Sequence, residues 1–133
     1  VVLYILNKLK RHKSPKQWIG ANGWPSVTIV IAAYNEADFI EQKITNTLQL
    51  DYPADKLNIF IVTDGSNDET PALVSKYKNI NHFHEAERKG KINAVNRVMK
   101  MVTTPYVVFC DANTFLNPLA IKNLIRHYAD DSV

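Results

Sequence analysis

The sequence is poor in cysteine, with Cys110 as the only one among its 133 residues. A single cysteine excludes an internal disulfide and a cysteine-based zinc site, and it is typical of a reducing compartment. No apolar run approaches the roughly 20 residues that a membrane-crossing helix needs. Hydrophobic residues make up 46% and charged residues 22% of the sequence, which indicates one folded domain with a core and excludes a disordered chain.

Acidic residues are missing from the N-terminal segment before Val27. The 11 basic residues from Val27 onward face 13 acidic ones, so the folded part carries no basic excess. A nucleic-acid-binding domain carries its basic patch on the folded part, and we therefore expect no nucleic-acid partner. Five of the 16 basic residues precede Val27, namely Lys8, Lys10, Arg11, Lys13 and Lys16.

Residues 1–26 differ from the rest of the sequence. Residues 1–6 (VVLYIL) are almost wholly apolar, and the basic stretch that follows them leads to Trp18. Basic residues gather on the cytoplasmic side of membranes and tryptophan at the interface, so the pattern is typical of the cytoplasmic flank of a membrane helix. A short amphipathic helix packed on the domain is the alternative. We predict a basic juxtamembrane segment and connector over residues 1–26, with the following domain membrane-associated on the cytoplasmic side.

From Val27 onward, strand and helix patterns alternate. Predicted strands cover residues 27–33, 57–63, 80–84 and 106–110; predicted helices, with their caps, cover residues 35–50, 68–78, 90–102 and 117–128. The strands are apolar on both faces, as in buried parallel sheets. Repeated strand–helix units predict an α/β fold with a doubly wound, mostly parallel sheet.

Helix caps and apolar faces follow from the same patterns. Asn35 is predicted to cap the first helix, and Ser66 and Glu69 have capping-box spacing at the start of the second. Helical spacing predicts apolar helix faces formed by Phe39, Ile40, Ile44, Thr47, Leu48, Ile92, Val95, Val98, Val102, Leu119, Leu124 and Ile125.

Polar residues follow each predicted strand, and parallel sheets bind ligands beyond the carboxyl ends of their strands. The residues from Asp64 to Asp68 are also favoured in turns and caps, so a purely structural role stays open for Ser66 and Asp68. Asp111 and Asn113 can present two oxygens to a divalent cation that bridges a diphosphate.

Basic residues surround Gly90 at the start of a predicted helix. Free N–H groups at such a helix start favour phosphate, although a run of charges is more often a solvated face. His82 and His84 lack a third ligand at metal spacing, which favours a structural or exposed role. Cys110 lies within a predicted strand and is interpreted as a core thiol.

Four motifs in sequence order are more specific than any one of them. VTIVIAAYNE, IVTDGSNDET, RKGKINAVN and VVFCDANT together resemble the nucleotide-sugar-binding half of family 2 glycosyltransferases with the GT-A fold. The resemblance runs from Val27 to about Tyr128 and implies a Rossmann-like sheet. It also implies sugar transfer from a UDP-sugar-type donor to a glycan or lipid acceptor, as in polysaccharide biosynthesis.

The resemblance also implies roles for single residues. Tyr34 and Asp64 are expected to contact the uracil-type base, with Glu36 nearby. Asp68 and Arg88 are expected to border the nucleoside, and Lys91 the diphosphate. Asp111 and Asn113 stand where the family has its Asp-x-Asp motif for Mn²⁺ or Mg²⁺. Asparagine in the second position lowers the charge of the site, so we expect weaker metal binding.

The family's catalytic base lies in a later motif, so it is expected beyond Val133 and its identity is unknown from this sequence. Residues 27–133 are therefore interpreted as a partial GT-A domain that binds its donor but does not transfer sugar by itself. A degenerate, binding-only domain stays open as an alternative. A sugar nucleotidyltransferase is disfavoured because AAYNEAD lacks the glycine-rich loop, and a receiver-type signalling domain because paired acids are missing after the first strand.

Overall fold

The computed structural model describes residues 23–128, in which parallel strands and helices alternate. The predicted juxtamembrane segment, and the connector before Gly23, lie outside the described residues. No described helix is long and apolar enough to cross a membrane. Strands β1, β2, β3 and β4 span Val27–Ala33, Leu57–Asp64, Asn81–Glu85 and Tyr106–Asp111. Helices α1, α2, α3 and α4 span Ile40–Leu48, Thr70–Ser75, Lys91–Met99 and Ala120–Tyr128.

The sheet has four strands in the order β3-β2-β1-β4, and every neighbouring pair is parallel. The chain therefore adds strands outward from β1 to β3 and then crosses to the other side of β1 with β4. Ala32 pairs with Asp111 and Ala33 with Thr63, so the carboxyl ends of β1, β2 and β4 are level. A reversal of strand order next to β1 creates the crevice in which such sheets bind ligands.

Two apolar clusters cover the two faces of the sheet. Ile29 and Ile31 of β1 pack with residues of α1, α2 and α4, whereas Val30 between them packs with Ala94 and Val98 of α3. This alternation follows from the period of two in a strand, and it confirms the prediction of helices on both faces. Each fully buried isoleucine or valine contributes about 1.5–3 kcal/mol, so the strands themselves supply much of the stability.

The first two helices begin later than predicted. Asn35 has a φ of 51° and does not cap α1; its Oδ1 instead accepts a hydrogen bond from the N–H of Asn67 at 3.0 Å. The predicted capping box is wrong as well, because Ser66 Oγ accepts from the N–H of Asn35 at 3.2 Å and α2 has no side-chain cap. Asn and Ser hydrogen-bond readily to nearby backbone, and here the neighbouring loop competes successfully with the helix end.

The predicted apolar faces are correct at their centres and wrong at their ends. Ile40, Ile44 and Thr47 are buried in α1, as predicted. Ile92 is 78% exposed, because it lies in the first turn of α3, away from the stripe formed by Ala94 and Val98. Phe39, Leu48 and Leu119, which flank or end helices, are likewise between 41% and 46% exposed.

Candidate functional site

A cavity of about 350 Å³ lies at the carboxyl ends of β1, β2 and β4. Its floor includes the small residues Ala32 and Ala94, which leave room above the sheet. Every site residue predicted from the sequence lines this cavity except Asp68. The predicted residues brought together there are Tyr34, Glu36, Asp64, Arg88, Lys91, Asp111 and Asn113.

A stacked pair forms one wall of the cavity. The guanidinium carbon of Arg88 lies 3.8 Å from the ring centroid of Tyr34, a cation–π contact between the loops that follow β1 and β3. Both side chains are exposed, so their outer surfaces are free to lie against a planar group.

Gly65 makes that position of Arg88 possible. Gly65 has a φ of +67°, and a Cβ built on it would lie 2.4 Å from the Cβ and 2.6 Å from the Cα of Arg88. The N–H of Gly65 also donates to the carbonyl of Glu85 at 2.8 Å. Glycine therefore lets the loop after β2 approach the backbone of the segment that carries Arg88.

Asp64 is buried at the end of β2 and anchors the start of α3. Its Oδ2 accepts hydrogen bonds from the N–H groups of Lys89 at 3.0 Å and Gly90 at 2.7 Å. Its Oδ1 is buried with no hydrogen-bond partner among residues 23–128, and the Nη1 of Arg97 lies 3.9 Å away as an ion-pair partner. Because the Asp64 carboxylate is buried, its charge needs a partner, and Arg97 supplies that charge beside the cavity.

Asp68 lies outside the cavity and joins two loops. Its Oδ2 accepts from the N–H of Ala37 at 3.1 Å, and its Oδ1 accepts from the N–H of Thr70 at 2.9 Å. The hydroxyl of Thr70 in turn accepts from the N–H of Glu36 at 2.9 Å. Asp68 therefore has structural hydrogen bonds that help to keep Glu36 in place, and its contact with the nucleoside stays a prediction.

Lys91 and Asp111 both line the cavity and contact each other directly as an ion pair. The hydrogen bond from Lys91 holds the pKa of the Asp111 carboxyl below its usual range, and the charges of Lys91 and Lys43 act in the same direction. The residue predicted to bind the diphosphate is thus in direct contact with the residue predicted to bind the metal. A diphosphate with its cation would separate this pair and give each charge a new partner.

The oxygen atoms of Asp111 and Asn113 are too few to hold a cation unless a bound ligand supplies further oxygen atoms. Within residues 23–128, no group of three or more His, Cys, Asp or Glu side chains is placed to hold a metal ion. Asp111 and Asn113 offer oxygen atoms, and Mg²⁺-like cations are commonly bound by one or two carboxylates plus the phosphates of the substrate. Asp111 and Asn113 therefore fit a cation that arrives with a diphosphate.

His82 and His84 have the structural role predicted for them. Nε2 of His82 and Nδ1 of His84 lie 2.8 Å and 2.9 Å from the Thr63 hydroxyl, next to Asp64 in β2. Burial, aided by the charge of His84, lowers the pKa of His82, which favours its neutral form. Cys110 is 6% exposed, which confirms it as a core thiol.

Sequence reasoning missed two residues beneath the site, Lys43 and Arg97. Lys43 in α1 is completely buried, and Arg97 in α3 reaches toward both Asp64 and Glu85. The available signal for Lys43 was its place within the apolar stripe of α1, between Ile40 and Ile44. Arg97 had no comparable signal, because a basic residue on a helix is usually solvated.

Comparison with known sequences decides the family. The sequence model of glycosyl transferase family 2 matches residues 28–133, most of the chain. The chain belongs to glycosyl transferase family 2. The resemblance read from the four sequence motifs is thereby confirmed.

Curated relatives of this family 2 chain are polysaccharide synthases. It is 32% identical to a poly-β-1,6-N-acetyl-D-glucosamine synthase of Staphylococcus aureus, over 98% of this chain and 32% of the relative. The corresponding enzyme of Staphylococcus epidermidis is 29% identical, over 92% of this chain and 29% of the relative. The chain thus spans about a third of the length of these relatives.

Solved structures confirm the fold of this family 2 chain. A mannosyltransferase from Pyrobaculum calidifontis, in complex with GDP-Man and Mn²⁺, has a TM-score of 0.73 and 30% identity, covering 90% of this chain and 39% of that one. TarS from S. aureus, in complex with UDP-GlcNAc, has a TM-score of 0.67 and 22% identity, covering 76% of this chain and 30% of that one. The predicted Rossmann-like GT-A architecture is therefore correct.

Proposed function

We propose that this chain is the nucleotide-sugar-binding part of a glycosyltransferase that moves a sugar from a UDP-sugar-type donor to a glycan or lipid acceptor. One observation carries the proposal: a single cavity at the strand ends joins an aromatic wall, a buried carboxylate and a cation–carboxylate pair. Similar proteins support it, since they include polysaccharide synthases and glycosyltransferases in complex with GDP-Man and UDP-GlcNAc.

Each part of the donor has a matching group in the cavity. The base lies against Tyr34 and Arg88, with the Asp64 carboxylate and Glu36 nearby. The diphosphate replaces Asp111 as the ion-pair partner of Lys91. The cavity volume of about 350 Å³ lies within the range of small-molecule binding sites.

Asp111 and Asn113 would hold a divalent cation, Mn²⁺ or Mg²⁺, against the diphosphate. Such a cation supplies positive charge to the departing nucleoside diphosphate. Lys91 stabilises the same oxygens from the start of α3, where the backbone N–H groups also favour anions. We further propose that the base which deprotonates the acceptor hydroxyl comes from a part of the protein outside this chain.

Calorimetric titration with UDP and with uridine in Mn²⁺ tests the donor site. We expect the Lys91→Ala variant to lose UDP affinity by about 10-fold or more, because a hydrogen bond to a charged group contributes about 1.5–3 kcal/mol. Its uridine affinity should stay within about twofold of the original, since uridine lacks the diphosphate.

Lys89→Ala is the matched control, because Lys89 is also exposed but its ammonium lies 3.9 Å from Glu85. It should leave the affinities for UDP and uridine unchanged. Equal losses for UDP and uridine in Lys91→Ala would assign Lys91 a structural role. Absence of UDP binding by the unchanged chain would refute the donor site, and acceptor-dependent release of UDP from UDP-sugars by this chain alone would refute an external base.

We also propose that the basic segment before Val27 holds the domain at an anionic membrane surface on the cytoplasmic side. Each Lys or Arg near such a surface contributes about 1 kcal/mol, so binding to anionic liposomes should be strong at low salt and weak at high salt. The control is a chain that begins at Gly23. Trp24 is kept because its ring centroid lies 5.7 Å from that of Tyr52, so it belongs to the domain. Equal liposome binding by both chains would refute the membrane role.

A further inference from the structure

Lys43 is the largest fully buried side chain that the structure describes. Lysine is almost never fully buried unless its charge has partners, because removing an ammonium group from water is costly. None of the ion pairs among the described residues involves Lys43. A buried charge without a carboxylate partner calls for an explanation beyond packing.

The ammonium group of Lys43 is directed to both ends of the loop that follows β4. Its Nζ donates to Sγ of Cys110 at 3.0 Å and to the backbone carbonyl of Thr114. Between these two acceptors lie Asp111 and Asn113, the proposed cation ligands. Lys43 therefore bridges the start and the end of the segment that presents them.

A second side chain of α1 holds the continuation of the same loop. Asn46, three residues after Lys43, donates from Nδ2 to the carbonyl of Leu116 at 2.9 Å and accepts on Oδ1 from its N–H at 2.8 Å. Residues three apart lie on one side of a helix, so α1 presents both side chains to the loop. Within the loop itself, the N–H of Thr114 donates to the carbonyl of Asp111 at 3.2 Å.

We propose that Lys43 is a positioning residue that holds the loop from Asp111 to Thr114 in the shape that presents Asp111 and Asn113 to a cation-bound diphosphate. This inference rests on the proposed function, since it assigns a task within the same donor site. Lys43 itself does not line the cavity. Its buried ammonium group lies beneath the loop that carries Asp111 and Asn113.

The test compares Lys43→Met with Thr47→Val in the full 133-residue chain. Methionine matches the length of lysine without its charge or its N–H donors. Thr47 is also buried in α1, but its hydroxyl bonds only to the carbonyl of Lys43 at 2.8 Å, so Thr47→Val perturbs the helix without touching the loop. Two readouts are measured: UDP and uridine affinities in Mn²⁺, and hydrogen exchange of the Thr114 and Leu116 amides.

We expect Lys43→Met to weaken Mn²⁺-dependent UDP binding by about 10- to 100-fold, the range known for residues that orient metal ligands, with uridine binding within about twofold. Exchange at Thr114 and Leu116 should accelerate relative to the core strands. Thr47→Val should lower the melting temperature but change neither the UDP-to-uridine ratio nor the relative exchange of these two amides.

Equal behaviour of the two variants in both readouts would overturn the proposal and leave Lys43 a packing residue. If the unchanged chain binds no UDP, the donor site is refuted, whereas faster loop exchange in Lys43→Met would still support positioning of the loop. Should Lys43→Met fail to fold, Lys43→Gln replaces it, because glutamine keeps an N–H donor without the charge. Unchanged loop exchange and UDP affinity in Lys43→Gln would then overturn the role of the charge.

Discussion

Asp111→Asn is expected to abolish the effect of Mn²⁺ on UDP binding. Asp111 is the only carboxylate in the proposed cation site, since its partner in the motif is Asn113. Loss of a residue that merely orients a metal ligand costs about 10–100-fold, so loss of the ligand charge itself should weaken UDP binding in Mn²⁺ by about 100-fold or more.

The same variant should behave differently when the metal is removed with EDTA. The Asp111 carboxylate pairs with the ammonium group of Lys91, and its negative charge also repels a diphosphate. Without the carboxylate charge, Lys91 is free for the diphosphate, so metal-free UDP affinity should stay equal or rise. A loss of UDP affinity in Mn²⁺ but not in EDTA identifies Asp111 as a metal ligand, because a residue needed for folding would lower both affinities.

Asp51→Asn is the control for charge removal, because Asp51 also pairs with a lysine, Lys122, at 2.7 Å but lies outside the cavity. Calorimetric titration with and without Mn²⁺ measures the UDP affinity of the unchanged chain, of Asp111→Asn and of Asp51→Asn. A Mn²⁺ response that survives in Asp111→Asn would contradict the role of Asp111 as a cation ligand, and with it the role assigned to Asn113.

Gly65→Ala is expected to cause the largest loss of stability among single substitutions at the site. A non-glycine residue at a φ of +67° costs about 1–2 kcal/mol. The added methyl group would also lie within 2.6 Å of the Arg88 backbone, and forcing extra volume into a packed position costs about 1–3 kcal/mol more. The free energy of unfolding should therefore fall by about 2–5 kcal/mol, measured by urea denaturation.

Gly23→Ala separates backbone strain from the clash. Gly23 has a similar φ of +72°, but a Cβ built there meets no described residue within 4 Å, so only the strain of about 1–2 kcal/mol applies. Equal losses in the two variants would show that the loop after β2 is not held tightly against Arg88. Any folded Gly65→Ala protein should also bind uridine more weakly, because Arg88 must move away from Tyr34.

The strands and the fold class could be predicted because their signals are local. A parallel strand is buried on both faces, so it appears in the sequence as a short apolar run such as VTIVIAA or YVVFC. Helix ends were predicted less well. Asn35 and Ser66 can bond either to their own helix or to a neighbouring loop, and only the folded arrangement of loops decides between the two.

Most of the site could be predicted for a related reason. Parallel strands end at the same edge of a sheet, so polar residues that follow them in sequence are brought together whatever the strand order. Asp68 alone of these residues does not line the cavity, because a carboxylate next to a turn also bonds well to nearby backbone. The partner of Lys91 could not be predicted, since 20 residues separate it from Asp111.

By itself, the sequence determined the α/β class, the strand positions, the family and the set of polar groups at the strand ends, because each depends on residues that are neighbours along the chain. Tertiary structure alone decided the strand order, the register that levels the strand ends, and the contacts beneath the cavity. Lys43 shows the reason: its partners Cys110 and Thr114 are 67 and 71 residues away, and burial of a charged side chain depends on what the fold places around it.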